Sequence, residues 1–477
     1  MNKRFWCALV VVLAAADTLL TYWQNYQLPL DGDLVPTVLP APFYSKVLQD
    51  PFGWAVLTRN EIYAAPNRFF AHGAMSLYWK QVPRLLQHFM APISSLYASS
   101  ALFNTAVHAL ILFTLAAYVR LGAGMANKKW TFWLAIALLL PLFQTAGFAE
   151  QMSITNHAVT YTFFYGFPIA LLLVLLWPFY RAACLGEQLR LRFWQMVLLV
   201  LLMVVVSFNG PIATAAVAVV LSGIGVYWGM KQWQIRGRRL SVGWLSGQAL
   251  ALLSILAVLS LYSIYIGRNN IENGQSHTLG ELYQLLPTGF VGQLRLQNGL
   301  PVLVLFVLAN GLLTRFLTPD SEQRQRVLFI LRGVGLFALV FILLLPFGGY
   351  RSYRPYLIRG DSILPVVVGL IFAYGVSGSF LLSRLRGGIR VGYITIAALF
   401  AGYFMYADSA LEMPYNNGCE RWALEQIAQS PEPVVHISAF CPVLSWAPVS
   451  NSEDTKEQSA MLYYWGVTPR KKLYYQQ

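Results

Sequence analysis

Two carboxylates on either side of a glycine are the residues of this chain best suited to chemistry. Asp31 and Asp33, in the run Asp31-Gly32-Asp33, follow the first long apolar stretch by a few residues. Such a pair can bind a divalent cation, or one acid can act as general base while the other holds a substrate or a cation. A simple turn around Gly32 is the competing interpretation. We expect a catalytic role for both acids, with a divalent cation possible but none required.

A segment rich in arginine and tyrosine, GGYRSYRPYLIRGDS, is the second candidate. Arg351, Arg354 and Arg359 lie within nine residues there, with Tyr353 among them. Guanidinium groups bind phosphate through paired hydrogen bonds, and tyrosines at a membrane surface pack on lipid and donate hydrogen bonds. We predict a clamp for a phosphate or pyrophosphate on a membrane lipid, with Asp361 orienting one arginine. An internal ion-pair network is the alternative.

Three further residues are candidates for a substrate site. Asp17 lies inside an apolar run, where an ionisable side chain marks either function or a structural ion pair, here with an arginine of another helix. Arg68 and His72, in NRFFAH, lie in the first long polar segment.

We expect membrane helices to hold these residues in place. The chain is 57% hydrophobic and 11% charged, whereas a soluble domain carries roughly 25% charged residues. Its apolar runs of about 20 residues each suffice to cross a bilayer as a helix, and the short alternating segments of a β-barrel are absent. We predict an all-α polytopic membrane protein of about eleven spans: 5–23, 93–118, 130–147, 159–179, 193–208, 210–229, 243–267, 299–317, 327–346, 363–382 and 391–408.

The basic residues indicate how these spans are oriented. The net charge is +14, but the lysines and arginines form small groups between apolar runs rather than one patch, so we expect no nucleic-acid partner. Alternate loops are basic, as the positive-inside rule requires. This pattern predicts a multi-pass membrane protein with a cytoplasmic N-terminus and an extracytoplasmic C-terminus. We expect the membrane to be a bacterial inner membrane. Cleavage of residues 1–16 as a signal peptide stays open.

Two long polar segments lie on the predicted outer side. Residues 1–408 form the membrane domain, in which 24–92 is a large outer loop with an amphipathic, interfacial stretch near 74–90. Residues 409–477 form a small α/β cap. Its two cysteines, Cys419 and Cys441, lie where the environment favours oxidation, and we predict a disulfide between them worth about 3 kcal/mol. The chain has no P-loop, dinucleotide loop or zinc spacing.

This layout resembles the GT-C class of membrane glycosyltransferases. The resemblance rests on LDGDLVP after span one, the amphipathic stretch of the outer loop, and the late RSYRPYLIR segment; RPYLIRGDSILP is also similar to uncharacterised bacterial envelope proteins. It implies transfer of a sugar from a polyprenyl-phosphate donor to a glycan or lipid acceptor on the outer face. Asp31 would be the base, Asp33 its alternative or partner, and the three arginines of RSYRPYLIR would hold the donor phosphate. The acidic motif departs from the class in having a residue between its two acids.

Other functions compete with this one. A transporter or lipid flippase would show internal repeats and helices broken near the midplane, and neither is evident. An O-antigen polymerase or ligase would place its large outer loop later in the chain. A structural scaffold would tolerate loss of Asp31 and Arg354. The polar residues gather at one face of the membrane domain, and this asymmetry favours chemistry at the surface over a path through the bilayer.

Overall fold

The structure, a computed structural model, describes residues 3–125, 128–234, 245–273, 277–351, 353–354, 356–409, 416–438 and 440–476. Within these ranges the chain is mostly helical, with one small sheet. The helices in chain order are α1 (Lys3–Tyr26), α2 (Leu34–Val38), α3 (Pro42–Gln49), α4 (Trp54–Arg59), α5 (Phe69–Leu86), α6 (Pro92–Gly122), α7 (Trp130–Leu139), α8 (Ala149–Met152), α9 (Val159–Tyr161), α10 (Phe167–Leu185), α11 (Phe193–Ser207), α12 (Pro211–Gln234), α13 (Gly247–Gly267), α14 (Leu279–Leu296), α15 (Gly299–Phe316), α16 (Glu322–Leu344), α17 (Leu364–Arg384), α18 (Gly387–Asp408), α19 (Gly418–Gln429) and α20 (Lys456–Tyr464); the strands are β1 (Val434–Ile437) and β2 (Leu473–Gln476).

Long apolar helices dominate the described part of the chain. Nine are long and apolar enough to cross a membrane: Arg4–Tyr26, Pro92–Gly122, Val159–Leu185, Pro211–Met230, Gly247–Gly267, Gly299–Phe316, Glu322–Gly348, Leu364–Arg384 and Gly387–Asp408. Two shorter apolar helices, Trp130–Leu142 and Phe193–Ser207, coincide with the other two predicted spans. The polytopic helical architecture is therefore confirmed, whereas a count of eleven crossings and their orientation remain predictions.

The segment between α1 and α6, called loop one below, contains three short helices, α2 to α4, followed by the longer α5. Asp50 stabilises the start of α4 by accepting hydrogen bonds from the N–H groups of Trp54, at 2.7 Å, and Ala55, at 2.8 Å. The following helix, α5, runs from Phe69 to Leu86, whereas the amphipathic stretch was predicted over 74–90. Trp79 of α5 is fully buried, while Leu85 on the same helix is exposed. Only part of the amphipathic stretch therefore has an apolar side free for lipid.

The residues from 416 to 476, called the cap below, pack on loop one rather than standing apart. Its strands β1 and β2 pair in parallel, from Val434 opposite Leu473 to Ile437 opposite Gln476. Trp465 of the cap lies 5.8 Å from Trp79, ring to ring, and its indole N–H donates to the Trp79 carbonyl at 2.9 Å. Loop one and the cap thus share one hydrophobic core. The predicted boundary near 409 adjoins 410–415, which lie outside the described ranges.

Candidate functional site

A cavity of about 830 Å³ lies where loop one, the start of the third long helix, the chain around residue 360 and the cap meet. Its lining includes Asp31 from loop one, Tyr161 from α9, Arg354 and Arg359 from the arginine segment, and Trp446 from the cap. Between α9 and α10 the backbone makes a π-helical turn, a feature often found at functional sites. Chain segments far apart in sequence therefore build one pocket of the size that holds a small ligand.

Asp31 is a buried carboxylate, and no cation in the described part of the chain forms an ion pair with it. Its Oδ1 accepts from the Thr160 hydroxyl at 2.7 Å and from the Asp33 N–H at 3.1 Å, and its Oδ2 accepts from the Thr160 N–H at 3.1 Å. The side chain is only 5% exposed. Burial raises the pKa of Asp31 to about 6, against the opposing effect of the Thr160 hydrogen bonds. The acid can thus take up a proton close to neutral pH.

Asp33 and Gly32 connect loop one to the cap. Asp33 accepts from the Tyr161 hydroxyl at 3.2 Å and from the Trp446 indole N–H at 3.0 Å. A Cβ at Gly32 would lie 2.6 Å from the Trp446 backbone nitrogen, so only glycine allows the cap to approach this closely. The Asp31-to-Asp33 hydrogen bond is also the turn expected as the competing interpretation. The spacing of the acidic pair therefore has a structural reason as well as a chemical one.

Two of the three predicted clamp arginines line the cavity. Arg354 donates to Asp361 at 3.0 Å, and Arg359 donates to the other oxygen of the same carboxylate at 3.0 Å. Arg354 also bonds the Tyr161 hydroxyl and lies 4.6 Å from the centre of that ring. Asp361 thus orients both arginines rather than the single one predicted. Two cations share one carboxylate, which leaves one excess positive charge beside the cavity.

The other members of the predicted clamp point elsewhere. Arg351 forms an ion pair with Glu272 and donates to the Tyr353 hydroxyl at 3.2 Å. Tyr353 is 66% exposed, and neither residue is among the described residues that line the cavity. Arg351 therefore follows the ion-pair alternative, because a carboxylate from the loop before α14 lies within reach of its guanidinium.

Glu420, which the sequence did not single out, joins the cap to the cavity. Its carboxylate accepts from the N–H of Leu30 at 2.9 Å, the N–H of Leu444 at 3.0 Å and the hydroxyl of Tyr97 at 2.9 Å. Burial, and to a smaller extent the nearby Asp31, raise the pKa of Glu420 to about 7, although the three hydrogen bonds act in the opposite direction. The glutamate follows Cys419 directly in sequence.

A disulfide joins Cys419 to Cys441, the pair predicted from the sequence. Both cysteines line the cavity, which Glu420 lines as well. The bond fixes the start of α19 against the chain after β1 and so holds one wall of the pocket.

The remaining candidates lie outside the cavity. Asp17 is half-buried, and within the described ranges it forms no ion pair with an arginine; its charged neighbour is the carboxylate of Asp408. Arg68 and His72 are buried, at 6% and 1% exposure, behind Tyr165, whose ring lines the cavity. In the described part of the chain, no group of three histidine, cysteine or acidic side chains is arranged to hold a metal ion.

Thr160, Tyr161, Trp446 and Glu420 were missed by sequence reasoning for a common reason. Each acts through a contact between distant segments: Thr160 and Asp31 are 129 residues apart, and Trp446 and Asp33 are 413 apart. Such contacts leave no periodic or motif signal. The position of Glu420 beside a predicted disulfide was the one local hint.

No protein-family model matches this chain, and no curated protein is significantly similar to it. The geometry of the cavity therefore carries the functional proposal.

Proposed function

We propose that this protein is a membrane glycosyltransferase of GT-C type, which moves a sugar from a polyprenyl-phosphate donor to a glycan or lipid acceptor in the bacterial cell envelope. The observation that carries the proposal is the cavity in which the buried Asp31 lies together with Arg354 and Arg359. A potential base and a potential anion site occupy one pocket. The distribution of basic residues favours an orientation with this pocket on the extracytoplasmic face, and the resemblance to the GT-C class implies a bacterial inner membrane.

In the proposed reaction, Asp31 removes the proton from an acceptor hydroxyl. The acceptor oxygen attacks the anomeric carbon, and the bond from that carbon to the phosphate oxygen breaks. The polyprenyl phosphate leaves with the bonding electrons, so negative charge grows on its oxygen. Arg354 and Arg359 offset this charge, and the phosphate needs no acid to leave.

The protonation state of Asp31 suits the role of base. A general base works best when its pKa is close to the working pH. With a pKa of about 6, Asp31 is mostly ionised at pH 7.5 and more basic than an ordinary aspartate. Its hydrogen bonds to Thr160 fix the orientation of the carboxylate beside the cavity.

The test is a transfer assay with the purified protein in nanodiscs. Radiolabelled polyprenyl-phosphate hexoses are supplied with an extract of envelope glycans and lipids, with and without EDTA. Asp31→Asn should lower the transfer rate by about 10²-fold to 10⁴-fold, and Arg354→Gln by about 10²-fold to 10³-fold. Glu187→Gln, at an ion pair with Arg181 in which both side chains are more than half exposed, is the control and should transfer normally.

Each result bears on a different part of the proposal. Transfer that survives in Asp31→Asn would reject Asp31 as the base. Donor that binds but remains intact, and binds equally to Arg354→Gln, would move the function towards a lipid flippase. Loss of transfer in EDTA would add a divalent cation to the mechanism.

A further inference from the structure

A buried cation lies one aromatic layer away from the cavity. Arg68 is 6% exposed and directly precedes α5. Its guanidinium carbon lies 5.4 Å from the ring centre of Phe164 and 5.9 Å from that of Tyr165. Within the described ranges, no carboxylate lies at ion-pair distance and the guanidinium donates no hydrogen bond.

This arrangement is unfavourable without a partner. A guanidinium is always charged and offers five N–H donors, and a buried charge is normally paired and hydrogen-bonded. The cation–π contacts with the Phe164 and Tyr165 rings offset only part of the free energy that burying the charge costs. Arg351 and Arg354, by contrast, each have a carboxylate partner. Among the described residues, Arg351 and Arg354 thus have an anionic partner from the protein itself, whereas Arg68 has none.

Other buried polar groups around Arg68 are also unsatisfied. Both amide atoms of Asn209 are buried without a hydrogen-bond partner in the described part of the chain, and so is Nδ1 of His72. Gly210, next to Asn209, has a φ of 119° and faces Arg68: a Cβ there would lie 3.5 Å from Nε of the arginine. The turn between α11 and α12 thus brings bare backbone against the Arg68 side chain, directly after the unsatisfied amide of Asn209.

His72 adds a donor without adding charge. It lies one helical turn after Arg68, and its backbone N–H donates to the Arg68 carbonyl at 3.1 Å. Its ring lies 4.9 Å from Phe164, the same ring that Arg68 covers. Burial first, and Arg68 second, lower the pKa of His72 to about 3, so the imidazole is neutral. A guanidinium, an amide and a neutral imidazole suit an anion with several oxygens, such as a phosphoryl group.

The surface beside these groups is apolar. Trp54 on α4 is 64% exposed, and Phe43 on α3 is 47% exposed. Tyr44 of α3 lies 5.5 Å from His72, ring to ring. Phe52, just before α4, lies 5.2 Å from Phe208, the residue before Asn209. Exposed aromatic side chains of this kind are typical of the headgroup level of a bilayer, which favours a lipid phosphate over a free one.

We infer that Arg68, His72 and Asn209 form a phosphoryl-binding site that takes the phosphate of an isoprenyl phosphate held in the membrane. The anion site stands on the unsatisfied buried groups, and the identity of the lipid rests on the proposed function. The site lies behind Tyr165, whose ring separates it from the cavity that holds Asp31.

The test measures binding rather than sugar transfer. The melting temperature of the purified protein in detergent is followed against increasing farnesyl phosphate, farnesol or sodium phosphate. Because the cavity arginines would also bind a lipid phosphate, all proteins compared here carry Arg354→Gln. Farnesyl phosphate should stabilise this background, and adding Arg68→Gln should weaken the binding at least tenfold. Arg268→Gln is the matched control, because Arg268 lies 4.1 Å from the Tyr265 ring but is exposed; it should bind like the background.

A second variant covers the case in which Arg68→Gln fails to fold. Asn209→Leu removes the unsatisfied amide at similar volume, so it should keep or raise the melting temperature without ligand and weaken farnesyl phosphate binding several-fold. Unchanged binding in both variants, or in the one that folds, would overturn the site. Sodium phosphate that protects as well as farnesyl phosphate would overturn the lipid assignment, as would equal protection by farnesol.

The site and the proposed function fail in different ways. If Arg68→Gln loses farnesyl phosphate binding while the wild type transfers no sugar from any donor, the site stands and the transferase proposal falls. If Arg68→Gln transfers sugar and binds farnesyl phosphate normally, the site falls and the transferase proposal stands.

Discussion

Four carboxylates in and near the cavity fall into two regions with opposite surroundings. At the junction of loop one and the cap, Asp31 and Glu420 are held by N–H and O–H donors, with no ion pair among the described residues. In the segments around Glu272 and Asp361, each acid pairs with arginine. Burial raises the pKa of the first pair to about 6 and about 7. The first region can therefore exchange protons, whereas the second holds arginine side chains in place.

The largest effect expected from this difference is a dependence of stability on pH. Folding raises the pKa of Glu420 from 4.5 to about 7, so the folded protein holds this proton more tightly than the unfolded chain. The resulting stabilisation is complete below about pH 4.5 and is lost as the pH rises through 7, a change of about 3 kcal/mol. Asp31 acts in the same direction between about pH 4 and 6.

Melting temperatures in detergent between pH 5 and 8 check this prediction. The wild type should melt at a lower temperature at pH 8 than at pH 5, and Glu420→Gln should flatten the slope. Glu432→Gln changes an exposed acid of the cap and should keep the wild-type slope. A slope that is the same in Glu420→Gln and the wild type would show that this carboxyl does not control it.

A smaller loss is expected when a paired acid is removed. Asp361→Asn leaves Arg354 and Arg359 without their shared carboxylate, at side-chain exposures of 13% and 30%. Stranding partly buried cations should lower the free energy of unfolding by about 2 kcal/mol, less than for a fully buried pair. Chemical denaturation measures the change. Glu187→Gln breaks an ion pair with Arg181 in which both side chains are more than half exposed, and it should cost under about 0.5 kcal/mol. Equal losses in the two variants would show that burial of the pair makes no difference.

The smallest effect on stability is expected at Asp31. Asp31→Asn loses one acceptor for the Thr160 N–H but also removes the need to bury an unpaired charge at pH 7.5. The two changes oppose each other, so the free energy of unfolding should change by less than about 1 kcal/mol in the same denaturation experiment. A loss larger than that of Asp361→Asn would mean that Asp31 is primarily structural.

The sequence alone predicted the membrane helices and several charged residues of both regions. Long apolar runs define helices almost by themselves, because a membrane-length helix needs only length and hydrophobicity. Asp31, Arg354, Arg359 and Asp361 were identified because charged residues clustered beside apolar runs require an explanation. Their residue types were informative even before any contact was known.

The partners of these residues could not be predicted in the same way. Arg351 forms an ion pair with Glu272 outside the cavity, although nothing in RSYRPYLIR distinguishes Arg351 from Arg354. The role of Gly32 depends on the backbone of Trp446, far along the chain. Such outcomes depend on tertiary packing between distant segments, which local propensity and motif spacing do not encode.

The hydrogen bond from Leu30 to Glu420 spans 390 residues of chain, and this distance sets an order of events during biosynthesis. Leu30 is synthesised early, but its acceptor follows every one of the long apolar helices in the described ranges. The wall of the pocket that contains the disulfide is made later still than those helices. A nascent chain can therefore insert helix after helix while its pocket is still open on one side, and only a chain that has completed the cap has a finished site.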